Sequence, residues 1–239
     1  MLAQDRIILA LDVDTEAEAL ALAEELKDSV GAFKIGMQLF NAAGPGIVDR
    51  FNQIGAKVFV DLKFHDIPNT VASASRVMTR LNAFMFNLHA SGGREMMKEA
   101  RQAVDDEAKK LGQPAPLLIA VTILTSMNQA QMEADLGIQG KTIEQVVVEW
   151  AKMAQECGID GVVCSPKEIA AVRSACGPDF KLITPGIRPA WAAANDQKRM
   201  MTPQEAQALG CDYMVIGRPI TGAEDKKAAA AAIIKELEG

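Results

Sequence analysis

The sequence predicts an α/β chain folded as one (β/α)8 barrel of the TIM type, a single domain over residues 1–239. Three observations carry this. Eight near-continuous apolar runs of strand length recur along the chain, as parallel strands covered on both faces require. A helix-like stretch follows each run, and no Ser/Gly-rich linker or change of composition divides the chain. A length of 239 residues suits one barrel, two ordinary domains or one large open sheet. Eight strand–helix units favour the closed barrel over the doubly wound sheet.

The strand runs are Arg6–Asp12, Ala32–Met37, Lys57–Lys63, Ala83–Ala90, Leu117–Leu124, Gly161–Ser165, Lys181–Gly186 and Tyr213–Arg218. Between them, Met96, Met97, Ala100, Ala103, Val104 and Leu111 repeat at helical spacing. So do Ile143, Val146, Val147, Trp150, Ala151, Ala154 and Cys157, and Ala228–Leu237 reads as a closing helix. One connection, Ile187–Met201, is longer than the ~2–6 residues usual between strand and helix. It reads either as a surface insertion or, rising from the catalytic face, as an active-site lid.

Composition narrows the function. With 49% hydrophobic and 5% aromatic residues the chain can bury a large aliphatic core. A net charge of −6 argues against a general nucleic-acid binder, which needs a basic face, though a few local cations could still hold one phosphate. No signal peptide and no membrane-length apolar stretch is visible, so a cytoplasmic protein with no membrane partner is expected. Cys157, Cys164, Cys176 and Cys211 form no C-x-x-C pair, and the only histidines are His65 and His89. Free thiols and no metal are expected.

In such a barrel the active site forms at the C-terminal ends of the strands. The polar residues there are Asp12, Lys34, Asp61 and Lys63, then His89, Thr125, Ser126, Gly217 and Arg218. Charges inside apolar strands are costly unless paired, and two lysines with two aspartates can neutralise each other. That set reads as a catalytic cluster, with a buried structural ion network as the alternative. Asp61 and Lys63, two apart on a strand, should share a face. Asp66 lies beyond the expected strand end, and Pro68 suits the first turn of the next helix. An ammonium among carboxylates favours its charged form, which suits a general acid better than a Schiff-base nucleophile. Gly217-Arg218 sits where such barrels commonly hold a phosphate, and Gln197 on the candidate lid could reach the same group. His89 reads as a hydrogen-bonded residue of the barrel mouth, and His65 as shaping the loop after Lys63.

The segment Asp61–Thr70, DLKFHDIPNT, closely resembles the signature of bacterial orotidine 5′-phosphate decarboxylases. LALD ending at Asp12, FKIG around Lys34, NLHASGG at Asn87–Gly93 and LLIAVTILTSM at Leu117–Met127 fit the same family. DGVVCS at Asp160–Ser165, TPGIRP at Thr184–Pro189 and DYMVIGRPIT at Asp212–Thr221 continue the likeness in order over nearly the whole chain. The resemblance implies a cofactor-free homodimer that converts orotidine 5′-monophosphate (OMP) to UMP in pyrimidine biosynthesis. It implies Lys63 as electrostatic stabiliser and proton donor at C6, with Asp61 near the departing carboxylate. Lys34 and Asp12 would contact the ribose hydroxyls, Thr125 and Ser126 the pyrimidine and its surroundings. Arg188, Gln197, Gly217 and Arg218 would hold the phosphate. Asp66 to Thr70, including Ile67, would reach into the partner's site. Two rivals stay open: a metal-dependent hexulose-phosphate synthase, which shares the D-x-K-x-x-D pattern of Asp61, Lys63 and Asp66, and a non-catalytic nucleotide-binding regulator.

Overall fold

The structure, a computed structural model, describes residues 1–195 and 201–239. Its strands are β1 (Ile7–Leu11), β2 (Ala32–Gly36), β3 (Val58–Phe64), β4 (Met85–His89), β5 (Leu117–Val121), β6 (Gly161–Val163), β7 (Lys181–Pro185) and β8 (Tyr213–Ile216). All eight are parallel and paired in sequence order, and β8 closes on β1 through Ile7↔Met214, Ile8↔Val215 and Leu9↔Ile216. The expected barrel is therefore present.

The helices around it are α1 (Glu16–Leu26), α2 (Met37–Ala43), α3 (Gly46–Gln53), α4 (Pro68–Arg80), α5 (Gly93–Leu111), α6 (Gln129–Asp135) and α7 (Ile143–Glu156). They continue with α8 (Ile169–Cys176), α9 (Pro203–Ala208), α10 (Arg218–Thr221) and α11 (Lys226–Glu238). Pairs of helices, rather than one, follow β2, β5 and β8. Capping sets several boundaries: Thr142 and Thr202 each form a reciprocal capping box, with Gln145 and Glu205. Pro68 stands in the first turn of α4, as its preset φ and missing N–H predict.

Most apolar runs overshoot their strands by one to three residues at the C-terminal end. At β5 the last β5–β6 pair is Val121↔Val163, and beyond it the Thr122 N–H and hydroxyl both donate to the Val163 carbonyl, at 3.4 and 2.8 Å. At the other end Arg6 belongs to a short 3-10 turn, Gln4–Arg6, rather than to β1.

Alternation along the strands builds two cores. Ile8, Ala32, Phe59, Met85, Ile119, Ile183 and Tyr213 fill the barrel interior as an apolar layer. Ile7, Leu9, Phe33, Ile35, Val60, Phe86 and Leu88 face outward against the helices, where Leu22, Leu26, Met96 and Met97 meet them. Leu111, placed by periodicity on the buried face of α5, is exposed at its last turn. Gly161 is where β6 meets β7 too closely for a side chain: a Cβ there would lie 2.2 Å from the Lys181 carbonyl oxygen.

Candidate active site

One residue pair above the apolar layer, the same inward faces turn polar. Lys34 follows Ala32 by two on β2, Asp61 follows Phe59 on β3, and Asn87 follows Met85 on β4. Lys34 Nζ lies 3.5 Å from Asp12 Oδ1 and 3.5 Å from Asp61 Oδ2. Lys63 Nζ donates to Asp61 Oδ1 at 2.6 Å. Asp61 is thus held between two ammonium groups, and Asp12 joins the set from the solvent side of Lys34.

Lys63 reaches this position by a different route from the expected regular alternation. Val60 pairs with Phe86 and Phe64 with Leu88, so β3 carries two more residues than β4 across that interval. Lys63 sits inside this bulge with φ 54°. A left-handed backbone at a residue with a long side chain costs of order 1–3 kcal/mol and persists only where its surroundings hold it. Asn87, 1% exposed, supplies that hold. Its Oδ1 accepts the Lys63 backbone N–H at 2.8 Å, and its Nδ2 donates to Asp61 Oδ1 at 2.8 Å.

Burial pushes the Asp61 carboxyl up. The Lys34 charge, and then the hydrogen bond and charge of Lys63, outweigh that cost, so Asp61 lies below the usual carboxylate range and is ionised. Beside it His89 is shifted down, first by burial and then by His65 and Lys63, which favours neutral imidazole. Among the described residues His89 has no side-chain hydrogen bond; instead its ring packs against His65 with centroids 5.5 Å apart. For the expected barrel-mouth role of His89 the described residues show ring packing against His65 rather than a hydrogen bond.

Lys34, Asp61, Lys63, Asn87 and Thr125 line a cavity of ≈ 220 Å³ whose remaining wall is apolar, including Phe59, Val121, Ile123 and Val215. It adjoins a second, wider space of ≈ 1150 Å³ through Ile123, Leu124, Thr125 and Pro185. The smaller cavity offers one charged wall in an otherwise apolar surround, a setting in which fixed charges act strongly.

The other expected residues lie farther out. Ser126 is exposed beside Thr125. Gly217 caps α10 and Arg218 begins it, its side chain exposed. Arg188 is half-buried, and its N–H donates to the Met201 carbonyl at 3.1 Å, joining the two ends of the long Ile187–Met201 connection at its base. Residues Ala190–Asn195 of that connection form a 3-10 helix, and Gln197 lies outside the described residues. Asp66, Ile67 and Thr70 are exposed, and Asp66 Oδ1 accepts the N–H of its own neighbour Ile67 at 2.7 Å. Among the described residues Asp66 makes no ion pair, so one chain does not bring it to Lys63.

A model described as "Orotidine 5'-phosphate decarboxylase / HUMPS family" matches residues 5–233. The chain belongs to this family. A relative named orotidine 5′-phosphate decarboxylase, from Syntrophomonas wolfei subsp. wolfei, is 61% identical over 100% of both chains. One of the same name from Moorella thermoacetica is 50% identical, covering 100% of this chain and 94% of its own. A solved structure titled orotidine 5′-phosphate decarboxylase, from Lactobacillus acidophilus, superposes with a TM-score of 0.87 at 37% identity, covering 98% of this chain and 99% of that one.

The decarboxylase-like segment Asp61–Thr70 is divided by the fold. Asp61 and Lys63 stand on the cavity wall, whereas Asp66, Ile67 and Thr70 face outward at the start of α4. Sequence reasoning does not single out Asn87, which lies inside the longer family-like string NLHASGG. Its signal was nonetheless there: a lone amide in the apolar run AFMFNLHA, at an inward-facing position.

Proposed function

We propose that this chain decarboxylates orotidine 5′-monophosphate to UMP in pyrimidine biosynthesis, with Lys63 as the group that stabilises and then protonates C6. The observation that carries this reading is Asp61 held between Lys34 and Lys63 on the wall of a largely apolar cavity. The bond from C6 to the carboxylate breaks, CO₂ leaves, and the electron pair stays on C6 in the ring plane. Lys63 Nζ–H⁺ faces that developing charge and then gives its proton to C6, so the step needs no other donor. Asp61, ionised and fixed, keeps Lys63 aimed and sets a negative charge beside the substrate carboxylate before it departs.

Lys34 and Asp12 take the ribose hydroxyls, and Thr125 with Ser126 the pyrimidine and its surroundings. Gly217, Arg218, Arg188 and Gln197 bind the phosphate, whose remote binding energy can then be used at C6. No metal or organic cofactor takes part: among the described residues the one carboxylate on the small cavity's wall is already engaged by two ammonium groups. This weighs against the hexulose-phosphate synthase reading, as do the decarboxylase names of the relatives. The working enzyme is a homodimer in which Asp66, Ile67 and Thr70 of each chain complete the other's site. Their exposure, including 67% for the apolar Ile67, supports a partner at this surface.

The test is a spectrophotometric assay of OMP conversion to UMP with EDTA present. Turnover unaffected by the chelator is expected. UMP binding without turnover favours the regulator, and absence of OMP turnover together with a metal-dependent activity on a sugar phosphate favours the synthase.

A further inference from the structure

We propose that Asn87 is a positioning residue of the reaction: through one amide it fixes both the backbone of Lys63 and the carboxylate of Asp61. This rests on the decarboxylase reading above. The geometry leaves the amide no choice of orientation. A backbone N–H must meet an acceptor and a carboxylate must meet a donor, so Oδ1 faces Lys63 and Nδ2 faces Asp61. Both contacts are 2.8 Å, and Asn87 is 1% exposed, so water cannot readily substitute for either.

Among neutral side chains of this size only asparagine presents donor and acceptor in one rigid planar fork. Leucine offers neither group, ionised aspartate offers acceptors alone, and glutamine carries the fork one bond farther out. The contacts bridge β4 to the bulge in β3, where Lys63 holds φ 54°. Without the Asn87 acceptor the Lys63 peptide is free to relax toward extended backbone, which swings Nζ away from the cavity wall. Without the donor, Asp61 Oδ1 loses the partner that fixes it opposite Lys63. Asn87 is on that wall too, but its polar atoms are spent on these two residues. Its effect on chemistry passes through them.

The experiment compares native enzyme with Asn87→Leu and Asn87→Asp in OMP turnover, UMP binding and thermal melting. For Asn87→Leu, kcat should fall about 10- to 100-fold, as misplacing a reacting group by a fraction of an ångström does, while UMP affinity changes less than about threefold. Asn87→Asp gives a signature that a packing role cannot. Its carboxyl would lie against Asp61, so like-charge repulsion raises its pKa. When protonated it can donate to Asp61 and accept from Lys63 as the amide does. The ratio of Asn87→Asp kcat to native kcat should therefore rise as pH falls.

A ratio that stays flat with pH overturns the proposal, as does an Asn87→Leu kcat within about twofold of native. So does an Asn87→Leu loss that appears equally in UMP affinity. Should Asn87→Leu fail to fold, the pH-dependence of Asn87→Asp decides alone. Absence of turnover by the native chain overturns the decarboxylase reading and this inference with it; native turnover with indifferent variants removes only the role of Asn87.

Discussion

Both ends of the barrel bury charge, and they finish the job differently. At the N-terminal end Arg173 donates to the carbonyls of Gly210, Gly177 and Phe180 and to Asp212 Oδ2 at 2.6 Å, and the same Asp212 oxygen accepts the Leu182 N–H of β7 at 2.9 Å. Arg101, Asp160 and the Leu118 N–H of β5 repeat the pattern, with contacts of 2.9 and 2.7 Å. Arg6 adds a contact to the Cys211 carbonyl. These guanidinium groups bond fixed backbone and carboxylates that pin the next strand, and the one nitrogen left over among them in the described residues, Arg101 Nε, is buried away from any space a ligand could fill. At the C-terminal end the charges are ammonium groups sharing one carboxylate, and their remaining donors face a cavity. A buried ion pair alone thus says nothing about function. What marks the site is capacity left over and aimed at space a ligand can fill.

The largest test of this contrast is Lys63→Ala. Turnover of OMP should fall by ~10³-fold or more, because both proton delivery and charge stabilisation at C6 are lost. Folding and UMP binding should survive, since UMP carries no charge at C6. Near-normal kcat would break the assignment of the C-terminal end as catalytic.

The second test asks whether that end is complete within one chain. Lys63→Ala and Asp66→Asn chains, each inactive alone, are mixed and allowed to exchange. If sites are shared, each hybrid dimer holds one intact site, and random pairing restores about a quarter of native activity. If Asp66 serves its own chain, no hybrid site is intact. Hybrids confirmed by mass spectrometry yet inactive would refute the sharing and leave the decarboxylase reading in place.

Arg218→Ala comes next. Removing a charge-assisted pair with phosphate should lower kcat/KM for OMP by about 100-fold, with little effect on a substrate lacking the phosphate. Equal losses on both substrates would move Arg218 into the structural group with Arg173.

Arg173→Ala should produce the mirror image. Leaving the partly buried Asp212 without its partner should cost about 2 kcal/mol, lowering Tm by roughly 4–8 °C, with kcat of the folded enzyme unchanged. A loss of kcat without a loss of Tm would erase the distinction between the two ends.

Much of this was legible in advance. The eight apolar runs located every strand to within a few residues, because parallel strands covered on both faces must be apolar throughout. Asp12, Lys34, Asp61 and Lys63 stood out as charges at successive strand ends, and they do meet. Asp61 and Lys63 came together as expected, though across a bulge rather than by regular alternation. The left-handed Lys63 was not legible, and the lone amide of Asn87 in its apolar run gave no hint of its partners, since both depend on how β3 and β4 are registered. The arginine clamps were equally hidden: Arg101 and Asp160 are 59 residues apart, Arg173 and Asp212 are 39 apart, and neither pair carries a local pattern.

The sequence by itself determined the elements, their order, the closed barrel they favour and the family, because periodicity and local motif need only neighbours along the chain. Tertiary structure alone decided which charge is used up and which is left over. It paired Arg173 with backbone carbonyls, gave Asp61 two ammonium partners, fixed Lys63 through Asn87 and left Asp66 exposed. Each outcome turns on strand register and barrel closure, which set distances between residues far apart in sequence, and no local preference encodes those distances.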